Sequence, residues 1–380
     1  MSENNLNIQM VDLKSQYMKI KPQVDQAIND VLSSTQFING AHVKSFQNEL
    51  ASYLDVKHVI TCANGTDALQ ISMMALGLKP GDEIITPSFT YIATTEVIGL
   101  LGLKPVFVDC DPENFNISIE EVEKAITKRT KAIVPVHLFG QSSDMKSIMN
   151  LAKKHNLFVI EDNAQAIGSD YSGFNKPQKT GTIGNIGCTS FFPSKNLGCF
   201  GDGGAMMTND DDLAEKLRMI ANHGQSKKYY HDMVGCNSRL DNIQAAVLRI
   251  KLKELDQYIL NRQKAADYYD QNLKDLDQLT LPYRNTDSNH VFHQYTIKLD
   301  DNIVRDELIQ YLAKKKIPAM VYYPVPAHQQ KMFSKIPNSY GNMKVTNWLS
   351  SRVFSLPMHT ELSTLQQDYI IENLFNFIKK

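Results

Sequence analysis

Val59-Ile60-Thr61-Cys62-Ala63-Asn64-Gly65-Thr66-Asp67-Ala68-Leu69-Gln70-Ile71 carries the reading of the fold. A short β-favouring run meets an Asn-Gly turn, and a helical pattern follows from Asp67 to Leu76. The same unit recurs downstream. Glu83–Thr86, Val106–Asp109, Ala132–Val136 and Leu157–Ile160 read as strands. Ile92–Leu101, Ile119–Ile126 and Met145–His155 read as the helices between them. These strands are continuously apolar rather than alternating, as expected when helices cover both faces of a parallel sheet. Strand–helix alternation predicts an α/β layered domain, whose ligands bind at the carboxyl edge of the sheet.

Upstream, Val24, Ala27, Ile28, Val31 and Leu32 fall on one helical face, so a helix is predicted after Pro22. Downstream, Gly173 to Gly204 is glycine-rich, holds Pro177 and Pro193, and reads as a long irregular segment of apolar character. Such segments in compact domains are usually functional. Arg239 to Leu273 reads as one long helical stretch. Phe292–Leu299 (strand), Arg305–Lys315 (helix) and Leu365–Ile378 (terminal helix) then predict a smaller C-terminal α+β domain. The division expected is 1–255 for the large domain and 256–380 for the small one.

The composition narrows the class. A chain of 380 residues can bury a core without disulfide or metal staples. Lys plus Arg number 40 and Asp plus Glu 41, so no broad basic footprint for nucleic acid is expected. Five widely spaced cysteines without a CxxC argue against a disulfide framework or a zinc site, and no metal is expected. Met1-Ser2-Glu3-Asn4-Asn5 has no basic n-region, and no apolar run is long enough for a bilayer. The expectation is a cytoplasmic protein that engages neither nucleic acid nor membrane.

Four features carry chemistry. Asn64-Gly65-Thr66-Asp67 places free amides and a hydroxyl at a helix start, which suits a phosphate; the same residues also read as a turn and an N-cap. Asp162 closes an apolar strand in Glu161-Asp162-Asn163-Ala164-Gln165, where a carboxylate can pair with a cationic ring nitrogen or remain a solvated strand end. Lys195 sits in Ser190-Phe191-Phe192-Pro193-Ser194-Lys195-Asn196-Leu197-Gly198, an apolar approach with a glycine exit. Desolvation there would favour the neutral amine that Schiff-base chemistry needs, although most lysines are surface lysines. Tyr91 can stack on a planar ring or pack in a core. His137 and His359 read as packed histidines. Gly201-Asp202-Gly203-Gly204 lacks dinucleotide spacing and reads as a turn. Taken together and in this order, the four features match the phosphate, ring face, ring nitrogen and aldehyde of one cofactor.

On these motifs, together with Asn237-Ser238-Arg239-Leu240-Asp241, the chain resembles the DegT/DnrJ-type nucleotide-sugar aminotransferases. These are fold-type I pyridoxal 5'-phosphate enzymes, and the resemblance runs from Val11 to His359. It implies that Lys195 carries the cofactor as a Schiff base and then serves as general base. Asp162 would pair with the ring nitrogen and Gln165 with the ring hydroxyl. Tyr91 would stack on the ring, and Gly65, Thr66 and Ser190 would hold the phosphate. Asn237 would reach the cofactor phosphate of a neighbouring subunit, making a homodimer with shared sites. Arg239, Tyr322 and Tyr323 would face the substrate.

The implied reaction moves an amino group from glutamate, which leaves as 2-oxoglutarate, to a ketone on a nucleotide-linked sugar. The run at Asn237–Asp241 resembles that of members that aminate C3 more than C4 members, and the lysine loop is most similar to that of aminotransferases for UDP-2-acetamido-2-deoxy-3-keto-glucuronate, which serve surface polysaccharide (lipopolysaccharide O-antigen type) synthesis. Many relatives have His-Tyr where this chain has Tyr322-Tyr323. A dTDP-3-keto-6-deoxyhexose 3-aminotransferase and a non-catalytic sensor of the same fold are the alternatives. Related sugar dehydratases replace the lysine with histidine, which Lys195 argues against.

Overall fold

The computed structural model describes residues 6–379. Helix α1 (Leu13–Ser34) starts at Asp12, whose carboxylate accepts the Ser15 amide at 2.9 Å. The helix begins nearly three turns before the predicted start and runs through Pro22. Proline removes one helical donor; Pro22 lies on the exposed side, where water can serve the carbonyl left over. The buried face is Gln16, Ile20, Val24 and Val31, and the predicted face member Leu32 is 49% exposed.

After α2 (Ala41–Leu54) the expected alternation follows. It runs β1 (His58–Cys62), α3 (Gly65–Ala75), β2 (Glu83–Pro87), α4 (Ala93–Leu100), β3 (Lys104–Val108), α5 (Ile119–Ala125), β4 (Thr130–Ile133), α6 (Met145–His155) and β5 (Phe158–Asp162). The sheet has eight strands in the order β1, Gly204–Thr208, Ile186–Ser190, β5, β4, β2, β3 and Ser339–Tyr340. All run parallel except Gly204–Thr208, which is antiparallel to both neighbours. The carboxyl ends of β1, β5 and Ile186–Ser190 therefore meet at one edge.

The segment Gly173–Gly204 departs from the sequence reading. It contains Ile186–Ser190, an interior strand of the sheet. Ile186-Gly187-Cys188-Thr189-Ser190 has one large aliphatic residue, so its pattern does not announce a strand. Gly187 has a packing cause: a Cβ there would lie 1.9 Å from the Gly181 carbonyl oxygen.

The predicted helical stretch 239–273 is two helices, Asn242–Lys253 and Leu255–Leu273, meeting at Glu254. The second leads to an antiparallel sheet of Leu279–Thr280, Tyr295–Leu299 and Val353–Leu356. Helices Arg305–Lys314 and Thr364–Ile378 complete that part. Its core joins Tyr269, Ile297, Leu312, Phe354 and Ile370, and Ile8 packs into the same cluster. Among the described residues no helix is long and apolar enough to cross a membrane.

Candidate active site

The first wall is the start of α3. Asn64 caps the helix, its side chain accepting the Asp67 amide at 2.8 Å, so the turn reading and the helix-start reading are both true of it. The Gly65 backbone lies against Ser190. A Cβ at position 65 would stand 2.7 Å from Ser190 Cβ, so only glycine keeps that cradle open. The Thr66 hydroxyl makes no hydrogen bond among the described residues. Ser238 braces the turn from behind: its Oγ accepts the Ala63 amide at 3.0 Å and donates to Asp67 Oδ2 at 2.6 Å. Helix dipole, amides and hydroxyls together have the chemistry that suits a phosphate.

The second wall is the end of β5. Asp162 is 6% exposed, and Thr94 Oγ1 donates to its Oδ2 at 2.7 Å while the Ala164 amide donates to Oδ1 at 3.1 Å. Thr94 was not among the residues singled out from sequence, since nothing in its local pattern links it to position 162. Glu161 points the other way and is fully buried. It accepts from the amides of Gly181 (2.8 Å), Ile183 (2.7 Å) and Gly184 (2.6 Å) and pairs with His137 Nε2 at 2.9 Å. His137 Nδ1 accepts the Ser143 amide at 3.1 Å, so Nε2 carries the proton and donates to Glu161. His137 is thus a packed histidine that ties the Gly181–Gly184 turn to the strand end.

Lys195 lies in the loop after Ile186–Ser190. The Phe192 carbonyl accepts the Lys195 backbone amide at 2.8 Å. Burial pushes its amine down to about 8, while the Asp162 carboxylate pulls the other way. The chain thus puts an amine with a substantial neutral fraction and a buried carboxylate within electrostatic reach, beside a phosphate cradle.

The third wall is aromatic. Gln165 Oε1 accepts the Phe139 amide at 2.7 Å, and its Nε2 donates to the Tyr323 hydroxyl at 2.9 Å, leaving one amide hydrogen for a ligand. Tyr323 stands 6.3 Å, ring centre to ring centre, from Tyr91 and 5.9 Å from Tyr322. Burial raises the Tyr322 and Tyr323 phenols above the ordinary tyrosine value, so both stay neutral. Tyr91 is 58% exposed, with room above its ring.

Asn237 and Arg239 flank Ser238 behind the turn, and neither hydrogen-bonds the other candidate residues within the chain. Asn237 is exposed, and its side chain makes no hydrogen bond among the described residues. Arg239 Nη1 donates to Asn222 Oδ1 at 3.0 Å.

These residues fit pyridoxal phosphate. Gly65 leaves the cradle open, Asp162 keeps lone pairs for a ring N–H, and the Lys195 amine is the one a carbonyl would meet.

A profile of the DegT/DnrJ/EryC1/StrS aminotransferase family matches residues 18–375. A Geobacillus stearothermophilus protein named a pleiotropic regulatory protein is 45% identical, covering 98% of this chain and 99% of its own. The UDP-2-acetamido-2-deoxy-3-oxo-D-glucuronate aminotransferase of Pseudomonas aeruginosa is 44% identical, over 97% of this chain and 100% of its own. A UDP-N-acetyl-3-dehydro-alpha-D-glucosamine 3-aminotransferase of Acidithiobacillus ferrooxidans is 45% identical over 94% of each. A solved Brucella abortus aminotransferase of the same description superposes with TM-score 0.93, at 40% identity, covering 98% of this chain and 100% of that one.

Proposed function

From its place in the DegT/DnrJ/EryC1/StrS aminotransferase family, to which this chain belongs, we propose a nucleotide-sugar 3-aminotransferase. It takes an amino group from glutamate and places it on C3 of a 3-keto sugar carried by UDP, in the cytoplasm, for surface polysaccharide. One observation carries the reading: the Lys195 amine, held at about 8, lies within electrostatic reach of buried Asp162. A sensor of the same fold has no need of that amine, so the regulatory name of one relative does not decide against catalysis.

The cofactor of this family is pyridoxal phosphate, which supplies a carbonyl for amines and a ring that withdraws electrons from the reacting carbon. The residues supply the rest. Gly65, Thr66 and Ser190 anchor the phosphate. Asp162, steadied by Thr94, keeps a ring nitrogen protonated. Gln165 meets the ring hydroxyl from the Tyr323 side, and Tyr91 covers a ring face. Lys195 Nζ removes the proton from the α-carbon of the donor amino acid and later delivers one to the sugar carbon. Asn237 completes the phosphate site of a second subunit, so the working unit is a homodimer, and Arg239 with Tyr322 and Tyr323 faces the sugar.

Two sugars fit the relatives, and one residue speaks for each. A uronate carboxylate calls for a cation, which Arg239 can supply bidentately. Tyr322 is neutral, which favours the uncharged 3-keto-hexosamine. Purified protein should be yellow and lose that colour on adding glutamate; both UDP 3-keto sugars are then offered in turn. Protein that fails to take up pyridoxal phosphate overturns the function. Activity on neither sugar overturns the substrate, and preference for the hexosamine over the uronate assigns Tyr322 its meaning.

A further inference from the structure

Ser88, the first residue past β2, is fully buried and makes four hydrogen bonds. Its amide donates to the Val108 carbonyl at 3.1 Å, which fixes it to the end of β3. The other three all go to one segment of the C-terminal part. The Ser88 carbonyl accepts the Ala327 amide at 2.9 Å, Oγ accepts the His328 amide at 3.1 Å, and Oγ lies 2.7 Å from His328 Nδ1. The hydroxyl proton has no other acceptor among the described residues, so it goes to Nδ1, and the imidazole proton sits on Nε2. Burial holds the imidazole below the ordinary histidine range, which keeps Nδ1 free to accept.

The two sides of this contact differ in how they are held. Ser88-Phe89-Thr90-Tyr91 leads to the tyrosine that would cover the cofactor ring, and it is well fastened. Phe89 is fully buried, Thr90 Oγ1 lies 3.2 Å from Thr94 Oγ1, and Thr94 in turn holds Asp162. The opposite side, Tyr322-Tyr323-Pro324-Val325-Pro326-Ala327-His328, is held sparsely. The Met320 amide donates to the Ser355 carbonyl at 3.2 Å; among the described residues, Ala327 has the next backbone amide that a backbone carbonyl takes up. Pro324 and Val325 between them are exposed. Tyr323 reaches the fixed side through its hydroxyl, bonded to Gln165, and through its ring, 6.1 Å from that of Phe89.

We propose that Ser88 and His328 are positioning residues for the substrate wall: the serine, fixed to the sheet beside the Tyr91 loop, clamps the far end of the Tyr322–Pro326 segment and so sets where Tyr322 and Tyr323 stand. One buried hydroxyl thereby ties the wall over the cofactor ring to the wall over the sugar. Without it the segment is pinned at Met320 and released at its other end, and the two phenols lose their fixed distance from Tyr91. That these phenols meet the sugar rests on the proposed function; the clamp itself does not.

The test has two arms on the full chain. Amide hydrogen exchange, read by mass spectrometry, follows the peptides that cover 322–330. Ser88→Ala should speed their exchange about tenfold while peptides of β1 to β5 keep the wild-type rate. His328→Ala should loosen the same peptides, and His328→Asn, whose amide oxygen can take the serine proton, should restore them. A merely structural role speeds exchange across the sheet as well, and no asparagine rescue follows. The second arm is kinetic. Ser88→Ala should raise KM for the UDP 3-keto sugar about tenfold with kcat nearly kept, and leave the glutamate half-reaction within about twofold. Wild-type exchange in Ser88→Ala overturns the clamp, as does His328→Asn as loose as His328→Ala. A loosened segment with an unchanged sugar KM overturns the positioning role. A wild-type protein that accepts neither sugar overturns the substrate reading, and the exchange arm still decides the clamp. If Ser88→Ala does not fold, the two His328 variants carry both arms.

Discussion

Lys195 owes its chemistry to its surroundings. A lysine in water is cationic at neutral pH and cannot attack a carbonyl; burial brings this one to about 8. Capture of pyridoxal phosphate by cofactor-free protein should therefore accelerate with pH and level off above 8, running about tenfold slower one unit below that midpoint than on the plateau. A stopped-flow absorbance series checks this, and a rate flat from pH 6 to 9 contradicts it. Lys195→Ala should keep its circular dichroism and lose about 10³-fold or more in turnover, since it removes both attachment and proton transfer. Gly65→Ala meets a different limit. Its methyl would press on Ser190 Cβ at 2.7 Å, inside a strand that cannot retreat. Cofactor affinity should fall about tenfold or more with the fold intact, as read by spectrophotometric titration. Wild-type affinity in that variant would remove Gly65 from the cradle.

The elements that carry the site are held by short polar fastenings at their ends. Glu161 gathers three amides and a histidine, and so pins the Gly181–Gly184 turn behind β5. Asp109, just past β3, performs the same work for the helix Lys344–Arg352. Its carboxylate accepts the Val345 amide at 2.8 Å, the Thr346 amide at 2.7 Å and the Thr346 hydroxyl at 2.6 Å. That joins the large sheet to the C-terminal part, whose strand Ser339–Tyr340 already extends it. Asp109→Ala leaves buried donors unpaired and should cost about 2–4 kcal/mol, seen as a lower urea midpoint. An unchanged midpoint would mean the helix is held elsewhere. Most of the elements were legible from hydrophobic period, because β1 to β5 and the helices between them bury the faces their patterns advertise. Ile186–Ser190 was not. Its Gly187 is small because the Gly181 turn lies against it, a contact no local pattern encodes.

A site assembled from two chains has a consequence that no single residue has. If Lys195 of one subunit works with Asn237 of the other, each single variant spoils its homodimer: Lys195→Ala through catalysis, Asn237→Ala through loss of cofactor. Mixed after unfolding and refolding together, half the dimers are heterodimers, each with one site free of both changes. Activity should return to about a quarter of wild type, and no recovery would place Asn237 in its own subunit's site.

What the sequence determined by itself was the α/β order, the carboxyl edge as the place to look, and Lys195, Asp162, Gln165 and the Asn64–Asp67 turn as candidates. Each depends on local chemistry: a hydrophobic period, a capped helix start, a charged residue at a strand end. What only the tertiary structure decided was company. Thr94 beside Asp162, Ser190 against Gly65 and Tyr323 on Gln165 are meetings of residues 68, 125 and 158 positions apart. Sheet order and the packing of the C-terminal part against it create those meetings. The desolvation that brings the lysine to about 8 exists only once they are made.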